Sequence, residues 1–225
     1  VITPYFFEDF GKNSDLERLF RYTTTLNVIV AYFMSLFLPL VFICAPAFVS
    51  LVLPKFSPGI VPLRIFLVTI FFSSHIEYFS NYFVALNKQS WILGIILIGI
   101  VANICLNFMF IQFGFGINGV ACATAIASML TFILMFAFAM KGKFFLKQVS
   151  TFAKIVMPFL YASFIVFLLE RYVNLGNVLI AVVLKCSLFI ISFLPLVFLL
   201  NKEVEFLPVL KKLIDERLIR FKGKG

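Results

Sequence analysis

The sequence predicts an all-α fold, a polytopic membrane helix bundle with six transmembrane helices and two amphipathic surface helices. Three observations carry that expectation. The chain is 63% hydrophobic and 13% charged, with 32 Phe and a mean hydropathy of +1.10. A water-soluble domain cannot hide that much apolar surface, because ordinary usage is about half apolar and a quarter charged. Six apolar runs follow one another, each long enough to cross a ~30 Å hydrocarbon core, which takes about 20 helical residues. Lys and Arg are distributed very unevenly about those runs.

In chain order, residues 1–25 read as a cytoplasmic amphipathic flank. Ser14-Asp15-Leu16-Glu17 has capping-box spacing, and Leu16, Leu19 and Phe20 share one helical face. The expected spans are 26–53, 61–86, 91–112, 117–140, 153–170 and 177–200. Pro39 and Pro46 fall in the first and should kink it. The third and fourth share a charge-free run from Gln89 to Met140, broken only by a glycine-rich tract that must be the turn between them. Residues 201–225 form a basic cytoplasmic tail. There Leu207, Leu210, Leu213, Ile214 and Leu218 make an apolar stripe among Lys211, Lys212, Arg217 and Arg220. That pattern suits a helix lying on the membrane surface, and a solvated, frayed tail is the alternative.

Charge then orients the bundle. Of the 19 Lys and Arg, Arg64 and Lys185 lie within spans, and Lys55 and Arg171 lie in one set of loops. The remaining 15 fall on the other side, which the positive-inside rule makes cytoplasmic, together with both chain ends. The net charge of +9 thereby follows from topology and anionic headgroups, and it gives no reason to expect nucleic acid. The chain begins at Val1 with no charged n-region ahead of an apolar core, and it reads as part of something longer.

The tract FGFGINGVACAT, residues 113–124, contains a formal G-x-G-x-x-G at Gly114, Gly116 and Gly119. A dinucleotide fingerprint needs a preceding strand and an acid about 20 residues further on. Here a membrane span precedes it, and no Asp or Glu occurs between Glu77 and Glu170. The glycines are therefore steric. Gly114 and Gly116 allow the positive φ of a tight turn. Gly119, Ala123, Ala127 and Thr131 recur every fourth residue, a small-residue stripe that lets helices approach closely in lipid. The fourth span should be central and tightly packed. Cys44, Cys105, Cys122 and Cys186 lie inside apolar runs with no C-x-x-C, and His75 is the only His. Small buried cysteines are expected, with no metal, no cofactor and no catalytic residue.

The pattern Asn103-x-x-x-Asn107 followed by FGFGINGVACATAIAS resembles the polysaccharide exporters and lipid-linked oligosaccharide flippases of the multidrug/oligosaccharidyl-lipid/polysaccharide superfamily. Gly116-Ile117-Asn118-Gly119-Val120-Ala121-Cys122-Ala123-Thr124 is similar to that family's "G-x-x-G-A-A-x-A-T" turn, with Val120 and Cys122 as departures. Thr3-Pro4 with its polar stretch resembles the lead-in to the family's ninth helix, and Leu86-Asn87-Lys88-Gln89 the inner turn before its eleventh. The resemblance implies helices nine to fourteen of a fourteen-helix flippase, with an N-terminal lobe elsewhere. It also implies a lipid-linked oligosaccharide as substrate, alternating access as mechanism, and the bacterial inner membrane as location.

Ionisable and amide groups inside spans are the candidate site. Ser73, Glu77, Ser80 and Asn81 share one face of the second span, and Arg64 and His75 share another. Glu77 is the only acid in the middle of a span. It serves a cavity, gating or proton coupling, or it is a fixed partner for Arg64, Lys185 or the absent lobe. Asn103 and Asn107 suit interhelical hydrogen bonds or substrate contact. By the resemblance, Arg64 and then Lys185 are the cations that attract the carrier lipid's pyrophosphate. The other readings are a cation-coupled multidrug extruder, a membrane-embedded glycan polymerase and a truncated remnant.

Overall fold

The computed structural model describes residues 16–173 and 176–204, with side chains as far as Phe198. These residues form six helices: α1 (Leu16–Val52), α2 (Ile60–Ala85), α3 (Gln89–Gln112), α4 (Gly116–Ala139), α5 (Phe145–Tyr172) and α6 (Val178–Val204), with a 3-10 turn at Pro54–Gly59 between the first two. The described residues contain no strand, and all six helices are long and apolar enough to cross a membrane. The protein is an all-α, multi-pass helical bundle. The capping-box residues Ser14 and Asp15 and the amphipathic stripe 207–218 lie outside the described residues.

Helix α1 differs from the expected flank-plus-span. Its 37 residues make one continuous helix of about 55 Å, and Leu19 and Phe20 are buried in the bundle rather than laid on a surface. No Gly or Pro interrupts residues 16–38, and the hydroxyls of Thr23 and Thr24 fold back onto the carbonyls of Leu19 and Phe20. The segment therefore has no reason to break at 25. Pro39 and Pro46 both lie inside the helix. Helix α5 starts eight residues earlier than expected. The Gln148 amide donates to the carbonyls of Lys143 and Met140 and closes the turn that leaves α4.

The α3–α4 hairpin turns at Gly114 and Gly116, with φ of 80° and 53°. Helix α4 then packs between α2 and α3, and it is the most buried span, 44% of its apolar window against 11% for α3. Gly119, Ala123, Ala127 and Thr131 are all buried. At the crossing, a Cβ on Gly99 of α3 would collide with the Thr131 hydroxyl, so the missing side chain sets how closely the two helices approach. On the other side, α1 packs against α2, α5 and α6. The shared core is aromatic. Phe71 stacks on Phe159 with centroids 4.1 Å apart, and Phe132 lies 6.0 Å from Phe152, joining α2, α4 and α5.

Candidate functional site

The expected site residues separate into four groups. Arg64 and Lys185 come together, but around a carboxylate. Arg64 Nη2 lies 3.0 Å from one Glu170 oxygen, and Lys185 Nζ lies 3.4 Å from the other. The three side chains come from α2, α5 and α6 and are 25%, 33% and 11% exposed. The fourth helix joins through a proline. Pro46 has no N–H to give the Phe42 carbonyl, and Arg64 Nε donates to that oxygen at 3.4 Å. The guanidinium also sits 4.1 Å from the Phe42 ring centre. This cluster ties four helices at one end of the bundle. Its partner is Glu170, and Glu77 takes no part.

His75 is fully buried and also occupied. Its Nδ1 lies 3.0 Å from Asn27 Oδ1, and Asn27 Nδ2 donates to the Thr23 carbonyl at 3.0 Å. That second bond fixes the amide orientation, so Asn27 Oδ1 accepts and His75 Nδ1 donates. Phe71 and Phe132 enclose the ring at 4.7 and 5.7 Å, and Nε2 has no partner among the described residues. The imidazole braces α1 against α2 inside an aromatic core. Asn107 Nδ2 donates to Asn103 Oδ1 at 2.6 Å within α3, leaving Asn107 Oδ1 buried and without a partner among the described residues.

Glu77 and Asn81 stand apart. On the outward face of α2, Glu77 is exposed and Asn81 half-buried. Neither has a hydrogen bond or ion pair among the described residues. Ser73 is exposed beside them, while Ser74 and Ser80 satisfy their hydroxyls on α2's own carbonyls. The polarity is confined to half the helix. The same outward arc carries Leu63, Phe66 and Ile70 in the other half, all exposed.

Sequence reasoning missed Asn27 and Glu170. Sign and side would have pointed to Glu170, since it is an acid in the last turn of its span at the same end of the bundle as the cations Arg64 and Lys185. The cysteines also depart from expectation. Cys44 and Cys105 are exposed, and the Cys44 and Cys186 sulfurs meet 3.7 Å apart between α1 and α6. Among the described residues no three His, Cys, Asp or Glu converge as a metal site. No family model, curated protein or solved structure matches the chain.

Proposed function

We propose that the chain is part of a flippase that moves a polyprenyl-diphosphate-linked oligosaccharide across the bacterial inner membrane, with both chain ends cytoplasmic. The observation that carries the reading is Glu77. A charged carboxylate costs about 2.5–3.5 kcal/mol at the bilayer centre on insertion scales and less toward the interface, yet this one projects from the bundle about two turns inside the end of α2, exposed and with no ion pair or hydrogen bond among the described residues. Its face therefore adjoins water or further protein. A second helical lobe facing α2 across a wet cleft supplies both.

In that arrangement Ser73, Glu77 and Asn81 line the half of the cleft nearer the lysine-rich end, and the apolar half of the arc closes it. The Arg64–Glu170–Lys185 cluster guards the opposite end. There a diphosphate competes with the Glu170 carboxylate for the two cations, so release from Glu170 accompanies passage. No bond in the substrate is made or broken. The reading is tested by the sidedness of the lipid-linked glycan in vesicles from cells making the protein. Glu77→Leu is expected to abolish translocation while expression and glycan assembly persist. Unchanged translocation by Glu77→Leu would refute the role given to this face. A cation-coupled extruder draws on the same carboxylate; it predicts drug efflux that Glu77→Gln abolishes.

A further inference from the structure

At the lysine-rich end, two loops deliver cations to a single indole ring. Lys88 lies in the α2–α3 turn, held where Asn87 takes a φ of 56° and the Lys88 N–H bonds the Phe83 carbonyl at 2.9 Å. Lys141 follows α4 in a turn closed by the Lys143 N–H on the Met140 carbonyl at 3.0 Å. Between them stands Trp91, in the first turn of α3, with Phe138 edge-on at 5.0 Å. The ammonium of Lys88 sits 5.1 Å from the Trp91 ring centre and that of Lys141 sits 5.8 Å from it. Both lysines are exposed, and neither has a carboxylate partner among the described residues.

Two ammonium groups brought to one ring repel each other, and an indole offers each only a modest cation–π attraction. A tetrahedral anion beside the ring draws on both charges and lowers that repulsion. The place is where membrane headgroups lie, since Trp91 opens one transmembrane helix and Lys141 follows another, and Trp is the side chain suited to that level. We propose that Lys88, Lys141 and Trp91 form a binding site for the phosphodiester headgroup of an anionic membrane phospholipid. The two ammoniums bind the phosphate, and the indole packs against the glycerol and upper acyl chains. Lys143 and Lys147 are directed elsewhere, their ammoniums 4.8 and 5.7 Å from the Phe20 ring centre. The site occupies the loops between α2 and α3 and between α4 and α5, so a bound lipid bridges them. It does not depend on what the protein transports.

Trp91 is the chain's single tryptophan, which makes the site its own reporter. The full chain is reconstituted in phosphatidylcholine vesicles containing phosphatidylglycerol brominated on the upper acyl chain, and Trp91 quenching is compared with that by equally brominated phosphatidylcholine. The expected preference for the anionic lipid is about fivefold for each lysine engaged. Lys88→Gln with Lys141→Gln should abolish it, Lys88→Arg with Lys141→Arg should retain it, and Lys55→Gln, in the loop at the far end, should leave it unchanged. Equal quenching by the two lipids overturns the site, as does a preference that survives the double glutamine variant. Inorganic phosphate at constant ionic strength separates the other source of the same chemistry: loss of the lipid preference on its addition overturns a lipid site in favour of a soluble phosphate.

Discussion

Glu170 is shared by two cations from two other helices, so removing its charge does more than delete one bond. Glu170→Gln leaves Arg64 and Lys185 repelling each other around a neutral amide. With all three side chains partly exposed, the expected loss is about 1–3 kcal/mol, below that of a fully buried pair. It is read as a lower unfolding midpoint in detergent. Adding Arg64→Gln should recover part of it by removing the repulsion. The His75–Asn27 pair makes the complementary case. Asn27→Leu strands the His75 Nδ1–H in an aromatic core and should cost about 1–3 kcal/mol, whereas Asn27→Leu with His75→Phe leaves no orphan and should cost less. Candidate polar residues were legible from the sequence because charges and amides inside apolar runs stand out. Their pairing was not. Asn27 lies 48 residues from His75 and Glu170 lies 106 from Arg64, and only the packing of different helices brings them into contact.

The α3–α4 crossing rests on Gly99 more than on its neighbours. Gly99→Ala drives a methyl into the Thr131 hydroxyl and should cost about 1–3 kcal/mol through overpacking. Thr131→Ala in the same chain should restore most of it. Gly94, five residues earlier with nothing near its absent Cβ, is the control: Gly94→Ala should be neutral or stabilise by up to about 1 kcal/mol. The α1–α6 contact has an equally direct test. A membrane-permeant oxidant should join Cys44 and Cys186, 3.7 Å apart, in an intramolecular disulfide visible by mass spectrometry of the digested chain, and failure to form it while a membrane-permeant thiol reagent still labels both would overturn that packing. At this scale the sequence was informative. Hydropathy located all six spans, and the small-residue stripe placed α4 at the centre. Helix starts were less readable, because α1 and α5 continue into polar residues that local side-chain bonds accommodate, and hydropathy marks only where lipid begins.

For the whole molecule, the described helices make a body with one surface that lipid alone does not suit. Helix α3 exposes apolar side chains nearly all round, as a lipid-facing helix should. Helix α2 exposes Ser73 and Glu77, with Asn81 beside them, over half its outward arc and apolar residues over the rest. Composition and charge asymmetry already implied a multi-pass membrane protein. They carried no information on which polar stripe faces outward, because Glu77 and His75 look alike in a hydropathy profile and differ only in what packs against them. The proposed transporter stands on that outward face. Its most direct test replaces the four native cysteines and places single cysteines at 73, 77 and 81, with 66 and 70 as apolar controls. Each is exposed in turn to a membrane-impermeant thiol reagent from either side. The account predicts labelling of 73, 77 and 81 from the lysine-rich side, with 66 and 70 protected from that side. Protection of all five from both sides, or equal labelling of all five, would contradict it.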